Sequence, residues 1–161
     1  MIRVLITGAG GFIGKHLAKH LASAGHHVLG LGHGHLPPTE ASAHGIGSWL
    51  NGDVDFANLH EIASRGDKIE TIYHLAGGSH VGRSFANPME DFQRTVLSTC
   101  QLFDWARLNL PDANIVVTSS AAVYGSGHPP GIIESANQNP YSPYGAHKAM
   151  QEDLCLSLIH I

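Results

Sequence analysis

Three side chains in the C-terminal third of the chain have types and spacing suited to taking a proton from a hydroxyl group. Tyr144 and Lys148 stand four residues apart and share one face of a helix, and Ser120 lies in the preceding segment. A tyrosine with its reference pKa near 10 is about three units, or about 4 kcal/mol, too weakly ionised for neutral pH. A lysine ammonium at roughly 6 Å supplies about 2.8 kcal/mol in an effective dielectric near 20. Such a set predicts general acid/base chemistry, although the Tyr-x-x-x-Lys spacing alone is common on amphipathic helices.

The segment that must position Ser120 follows an apolar run over residues 114–118 that predicts a strand, and ligands of open α/β sheets bind at the carboxyl edge. A second apolar run over residues 2–6 leads into a glycine-rich turn and then a helical pattern over 12–24. In that turn, we expect Gly8 to let the chain turn sharply, Gly11 to leave room for a pyrophosphate, and Gly14 to let the helix lie against the sheet. The phosphates would sit on backbone N–H groups at the helix N-terminus.

The remaining patterns alternate between strands and helices. We expect Ile13, Leu17, Leu21 and Ala24 to form the packed face of the first helix, and Gly25 to end it. Further strands are predicted over 27–31 and 70–76 and near 46–50, with residues 32–48 otherwise a loop. Helices are predicted over 56–64 and 88–108, the latter with Phe92, Val96, Cys100 and Phe103 on a core stripe. The sequence therefore predicts an α/β fold: a doubly wound parallel sheet of five strands with flanking helices.

The motifs resemble the short-chain dehydrogenase/reductase superfamily, particularly its extended branch of NAD(P)-dependent nucleotide-sugar epimerases and dehydratases. The resemblance rests on Thr7-Gly8-x-x-Gly11-x-x-Gly14, on His74-Leu75-Ala76-Gly77, on Ser119 to Gly125, and on Tyr144-x-x-x-Lys148, in the family's order. It implies that Tyr144 is the acid/base, that Lys148 lowers its pKa and holds the nicotinamide ribose, and that Ser120 hydrogen-bonds the reacting oxygen. The residues that would bind the cofactor are Gly8, Gly10, Gly11, Phe12, Ile13, Gly14, Asp53, Val54, Leu75, Ala76, Gly77, Tyr144 and Lys148.

Four residues depart from patterns seen in the family. Gly32 stands where a carboxylate normally holds the adenosine ribose 2′-hydroxyl, so the cofactor is NAD or NADP, with His33 or His35 as candidate donors to a 2′-phosphate. Thr95 replaces the usual Asn. Ser119 and Ser120 replace the acidic pair of dehydratases. The expected activity is therefore that of a nucleotide-sugar epimerase of the UDP-glucose 4-epimerase type.

Two alternatives stay open. One is a keto-sugar reductase or a dehydratase of the same family, and the other is a non-catalytic dinucleotide-binding sensor or scaffold. Asp53 has two interpretations as well, since either it contacts the adenine, or it or Asp55 caps the helix that follows. We interpret Tyr124 and Tyr141 as structural or pocket-lining residues.

Composition limits the kinds of partner that the chain is expected to bind. A formal charge of −4 argues against a nucleic-acid surface, and no apolar run approaches membrane-spanning length. The 13 histidines offer no third ligand beside His33 and His35 or beside His26 and His27, so no metal site is expected. Met1 directly precedes the first strand and the two cysteines lack metal spacing, which favours a reduced cytoplasmic protein.

The resemblance covers residues 1–155, which we expect to form the dinucleotide-binding domain of a protein whose C-terminal substrate-binding part is missing. Residues 156–161 match what a sequencing-adapter end encodes in one frame and are expected to be a non-native tail. Relatives commonly dimerise through the two helices that follow Pro88 and contain Tyr144, so a homodimer is a further expectation.

Overall fold

A computed structural model describes residues 1–128 and 131–158 of the chain. The chain divides into two compact units. The first contains residues 1–76 and 101–118, and the second contains residues 77–100 and the described residues from 119 onward.

The first unit is built on a five-stranded parallel sheet. Its strands are β1 (Arg3–Thr7), β2 (His27–Gly32), β3 (Ser48–Asn51), β4 (Thr71–His74) and β5 (Asn114–Val117). The spatial order is β3-β2-β1-β4-β5, with Leu5 of β1 paired to Leu29 of β2 and to Ile72 of β4. The strand order reverses between β1 and β4, which makes their carboxyl ends the switch point where this architecture binds ligands. The predicted doubly wound parallel sheet is confirmed.

The helices are α1 (Phe12–Ser23), α2 (Pro38–Ala43), α3 (Phe56–Ser64), α4 (Val81–Ala86), α5 (Pro88–Phe92), α6 (Ser98–Asn109) and α7 (Pro143–Leu158). Of the helices, α4, α5 and α7 belong to the second unit, and the others lie wholly or mostly in the first. A π-helical segment, Gln93–Leu97, lies between α5 and α6, and a 3₁₀ turn, Ala121–Val123, follows Ser120. Of the tail predicted over 156–161, residues 159–161 lie outside the described part of the chain.

Both faces of the sheet are covered by apolar side chains, as burial of a parallel sheet requires. Leu5 packs into one cluster with Leu29 and Ile72, whereas Val4 and Ile6 point to the other face and pack with Ala18 of α1. All three β1 side chains are fully buried. This explains why residues 4–6 are apolar without interruption rather than alternating with polar residues.

Two helix ends follow from local chemistry. The Asp55 carboxylate accepts a hydrogen bond of 2.8 Å from the Asn58 backbone N–H and caps α3, which decides between the two possible caps. Gly25 follows α1 with φ of +85°, a conformation that favours glycine, so the predicted end of that helix is confirmed.

Two predictions about helices need correction. The predicted loop over 32–48 contains α2, which begins at Pro38, where the missing N–H of proline costs nothing. On α1, Leu21 is buried and Leu17 packs against the same cluster, as predicted, whereas Ile13 is 60% exposed in the first turn. The buried face of α1 also includes Gly14 and Ala18.

The predicted core stripe of the helix after Pro88 is only partly correct. Val96 is buried as predicted, but Phe92 and Cys100 are exposed, and the buried positions further along include Leu102 and Trp105. The π-helical segment at 93–97 accounts for the change after Val96, because its wider turn shifts the side chains that follow it around the helix axis. A regular 3.6-residue period therefore loses phase at this point.

Candidate active site

The glycine turn after β1 brings the chain close to the end of β4. The Gly8 N–H donates to the Leu31 carbonyl over 2.7 Å, and Gly8 has φ of +72°. A Cβ at Gly8 would lie 2.9 Å from the Ala76 nitrogen and 2.9 Å from the Leu75 carbonyl carbon. Only glycine allows both the turn and this approach, which is the role predicted for Gly8.

The same turn places the start of α1 directly on the sheet. A Cβ at Gly14 would lie 2.3 Å from the Gly8 carbonyl oxygen, so the helix packs there through backbone atoms. Gly11 is the N-cap of α1, and among the described residues no side chain caps this helix end. Its first-turn N–H groups therefore face outward beside Phe12 and Ile13, which are 82% and 60% exposed.

A buried polar pair fixes the end of β4 against β1. The Thr7 hydroxyl lies 2.7 Å from Nδ1 of His74, and both side chains are fully buried. The Ala76 N–H donates to the same hydroxyl over 3.2 Å, and the Leu75 N–H donates to the Thr7 carbonyl over 3.1 Å. Gly8, Leu75 and Ala76 are thus brought together at the switch point of the sheet.

At the end of β2, Gly32, which stands where relatives have a carboxylate, lies beside the Trp49 ring. A Cβ at Gly32 would lie 3.3 Å from that ring, and a Cβ at Gly10 would lie 3.2 Å from it. His33 Nε2 lies 2.7 Å from Asp53 Oδ1, and both side chains are exposed. The Val54 side chain belongs to the core, which leaves only its backbone for the predicted cofactor contact.

In the second unit, the segment that carries Ser120 meets the start of α7. A Cβ at Gly145 would lie 2.6 Å from the Ala122 carbonyl oxygen, so glycine is required where the two segments touch. Ser120 stands two residues before Ala122, and Tyr144 stands one residue before Gly145. This contact brings the segments that carry Ser120 and Tyr144 together.

Two buried serines hold the first turn of α7 in place. The Ser142 hydroxyl accepts from the Gly145 N–H over 3.1 Å, as an N-cap does. The Ser84 hydroxyl of α4 accepts from the Tyr144 N–H over 3.0 Å. The Tyr144 backbone is therefore fixed by a neighbouring helix as well as by its own.

Lys148 lies one turn after Tyr144 and is only 4% exposed. Its Nζ donates to Gln151 Oε1 over 2.9 Å, and Gln151 Nε2 donates to the Thr99 hydroxyl over 2.7 Å. Gly77 lies alongside, since a Cβ there would be 3.4 Å from Nζ. Burial lowers the pKa of Lys148, and Asp91 acts in the opposite direction by raising that pKa.

Sequence reasoning missed the side chains that hold Lys148. Gln151 and Thr99 are almost completely buried, and Thr95 accepts from the Gly78 N–H over 2.8 Å, which gives this residue a contact at the position where the family has Asn. The weak signal that could have found Gln151 is its spacing of three residues from Lys148 on one helix. Thr99 gives no such signal because it is distant in sequence.

Within residues 1–128 and 131–158, no three or more His, Cys, Asp or Glu side chains cluster as metal ligands would. No helix in the same ranges is long and apolar enough to cross a membrane.

The sheet order, with a glycine turn at the point where that order reverses, is the architecture of Rossmann-type dinucleotide-binding domains. The model of the NAD dependent epimerase/dehydratase family matches residues 4–160. The chain belongs to that family, which confirms the resemblance drawn from its motifs.

Individual relatives agree with this assignment. The chain is 31% identical to a UDP-glucose 4-epimerase of Lactobacillus helveticus over 159 residues, which cover 95% of this chain and 46% of that protein. It is similar to UDP-glucose 4-epimerase from Brucella ovis in complex with NAD, with a TM-score of 0.86 and 32% identity over 98% of this chain and 47% of that one. The Bifidobacterium longum UDP-glucose 4-epimerase, in complex with NAD⁺ and UDP, gives a TM-score of 0.85 and 29% identity over 97% and 48%. The chain thus spans about half the length of these relatives.

Proposed function

We propose that this chain is the NAD(P)-binding and proton-transferring part of a nucleotide-sugar epimerase of the UDP-glucose 4-epimerase type. The observation that carries the proposal is the buried Lys148 amine, held one turn after Tyr144 on a helix whose start touches the Ser120 segment. A lysine side chain is rarely buried unless its amine is paired, because desolvation disfavours the charged form. An ammonium beside a tyrosine is what that tyrosine needs to act as a base near neutral pH.

The glycine turn fits the pyrophosphate of a dinucleotide. The Gly11 end of α1 offers backbone N–H groups that no described side chain caps, and the helix dipole favours negative charge there. Phe12 and Ile13 are apolar side chains left exposed beside this end, which a bound cofactor would cover. We assign Gly8, Gly10, Gly11 and Gly14 to the cofactor site on these grounds, together with the NAD found in the Brucella ovis relative.

Bound NAD(P) would supply the acceptor that takes a hydride from the sugar carbon and later returns it. Three residues of the chain would then each have a role. Tyr144 takes the proton of the sugar hydroxyl as the carbon loses hydride, and gives it back when the hydride returns. Lys148 stabilises the ionised tyrosine, and Ser120 donates a hydrogen bond to the reacting oxygen. Inversion follows if the ketone presents its opposite face when the hydride returns, so that the carbon is epimerised without net oxidation.

The residues after β5 favour epimerisation over dehydration. Expelling water from the sugar needs an acid/base pair after β5, whereas Ser119 and Ser120 hold hydroxyl groups there, and Ser119 donates to Glu152. The proposed reaction is thus epimerisation, and the proposed substrate is a nucleotide-sugar. A homodimer and a cytoplasmic location stay predictions from the sequence.

Replacement of Tyr144 tests the proposal. The protein is expressed from the longest open reading frame that contains this chain, and conversion of UDP-glucose to its 4-epimer is measured alongside NAD binding. Tyr144→Phe should lower turnover at least about a hundredfold with little change in NAD affinity, because only the transferable proton is lost.

Tyr73→Phe is the matched control, since the Tyr73 side chain on β4 packs against an apolar cluster and lies outside the segments that carry Ser120 and Tyr144. Full turnover in Tyr144→Phe would overturn the acid/base assignment. NAD binding with no epimerisation by the unaltered protein would favour a non-catalytic dinucleotide-binding protein instead.

A further inference from the structure

Beside Lys148 lies a second buried pair of charged or polar groups. His147 Nδ1 is 2.6 Å from Asp91 Oδ2, and the two side chains are 12% and 7% exposed. The His147 ring also forms a T-shaped contact with the Phe92 ring, with the two ring centroids 5.5 Å apart. An aspartate side chain is seldom buried unless it is paired with another polar or charged group.

Two consecutive glycines separate this pair from the lysine. A Cβ at Gly77 would lie 3.4 Å from Lys148 Nζ, and a Cβ at Gly78 would lie 1.9 Å from Asp91 Oδ1. The carboxylate and the ammonium therefore face the same short stretch of backbone. The Thr95 hydroxyl fastens this stretch by accepting from the Gly78 N–H.

We infer that Asp91 is the buried counter-charge of Lys148, and that His147 is a positioning residue that holds the Asp91 carboxylate against Gly78. The inference rests on the proposed function, because it gives Asp91 and His147 a part in keeping Lys148 charged beside Tyr144. It goes beyond that function by adding two residues to the proposed Ser120, Tyr144 and Lys148 set.

The charge balance explains why such a pair is needed. Burial disfavours the ammonium, and Asp91 is the largest of the influences that raise the pKa of Lys148 against it. A neutral His147 can donate a hydrogen bond to Asp91 without cancelling its charge, whereas a protonated His147 would offset that charge. The pair thus supports Lys148 best when His147 is neutral.

Other titratable groups on α4, α5, the π-helical segment and α7 are placed less well than Asp91 to act as the counter-charge of Lys148. Glu152 and Cys155 on α7 also raise the pKa of Lys148, but each does so less than Asp91. Arg83 of α4 and Arg94 of the π-helical segment are exposed. Arg94 pairs with Glu90, which lies on the helix of Asp91 but is 44% exposed.

The test measures the Lys148 amine directly, by nuclear magnetic resonance of protein with isotope-labelled lysine side chains. Asp91→Asn keeps the size of the side chain and an acceptor for His147 but removes the charge. Its expected effect is to lower the pKa of Lys148 by about one unit, the shift typical of losing a close opposite charge. Glu90→Gln is the matched control and should leave the resonance titration unchanged.

A pair of His147 variants keeps the inference testable should Asp91→Asn fail to fold. His147→Leu removes the donor to Asp91 and should also lower the pKa of Lys148, whereas His147→Gln keeps an N–H donor and should restore it. A merely structural role would make both variants unstable without this ordering. An unchanged Lys148 titration in Asp91→Asn, or equal effects of the two His147 variants, overturns the inference.

The pH profile of turnover separates this inference from the proposed function. If both hold, Asp91→Asn moves the profile toward higher pH, because a less charged Lys148 activates Tyr144 less. A shifted Lys148 titration with an unmoved turnover profile supports the counter-charge and contradicts the proposed part of Lys148 in catalysis.

Discussion

Gly14→Ala tests the close packing of α1 on the glycine turn. The added Cβ would lie 2.3 Å from the Gly8 carbonyl oxygen, 2.7 Å from the Ala9 Cα and 2.9 Å from the Ala9 carbonyl carbon. Real Cβ atoms essentially never come within 3.0 Å of such atoms, so the helix must move by at least 3.0 − 2.3 = 0.7 Å. Gly8 cannot move away to relieve the clash, because its N–H is bonded to Leu31 over 2.7 Å.

Two effects of this change oppose each other. Alanine in place of glycine inside a helix favours folding by about 1 kcal/mol. Overpacking costs about 1–3 kcal/mol, and we expect at least the upper end here since all three clashing atoms belong to the backbone. The clash therefore wins, and the free energy of unfolding should fall by about 2 kcal/mol.

Urea unfolding followed by tryptophan fluorescence measures this change in the right place. The two tryptophans of the chain, Trp49 and Trp105, both lie in the first unit, as Gly14 does. Gly11→Ala is the matched control, because its Cβ would lie 3.2 Å from the same Gly8 oxygen and should cost under about 1 kcal/mol. A Gly14→Ala protein as stable as the control would refute the packing argument.

Three further predictions concern the cofactor site and the buried lysine. Gly11→Val should abolish dinucleotide binding in calorimetry, because it sets a branched side chain where the pyrophosphate would lie, and unchanged affinity would remove the proposed phosphate site. Gly32→Asp should weaken the binding of NADP by a few kcal/mol and spare the binding of NAD, because a carboxylate repels a 2′-phosphate. Equal losses of affinity in parallel titrations with the two dinucleotides would show that position 32 does not face the ribose. In a Cys155→Ala background, the free energy of unfolding should rise with pH toward 10.5, because the lowered pKa of Lys148 makes the unfolded chain bind more protons there. Lys148→Met should remove that rise. The background is needed because burial raises the pKa of the Cys155 thiol, which has the opposite effect on stability.

The sheet and the glycine turn could be predicted because their causes are local. A largely apolar run over residues 2–6, a sharp glycine turn and a helical pattern follow one another within about twenty residues. Each of them restricts the structure of the next. The roles of Gly8 and Gly14 follow from the same short segment. The structure adds the atoms that a Cβ would meet, which a sequence cannot supply.

The phase of the helix after Pro88 could not be predicted, because nothing in its residue types marks the wider π-helical turn at 93–97. Likewise α2 is one and a half turns long, too short for a periodic pattern to distinguish from a loop. Both errors come from applying one regular period to a segment that either changes period or is too short to show it.

The partners of Lys148 were missed for a different reason. Gln151 reaches Thr99 from a position 52 residues away, and His147 reaches Asp91 across 56 residues. Such contacts depend on how α5, the π-helical segment and α7 pack, and polar residues within helical patterns read as solvent-facing until that packing is known. The sequence could predict a catalytic role for Lys148, but not which side chains hold its amine.

The buried polar groups around Lys148 argue for function more strongly than any single motif. An apolar side chain in place of a buried ion and its partners is often neutral or stabilising, so stability alone does not favour a lysine, a glutamine and an aspartate in this position. These groups are accommodated with Thr99 as an acceptor and with a glycine at 78, where any Cβ would collide with the Asp91 carboxylate. This whole arrangement is explained if a charged amine has to be held in one place next to Tyr144. Its cost to stability is the physical reason for assigning a proton-transfer site to the start of α7.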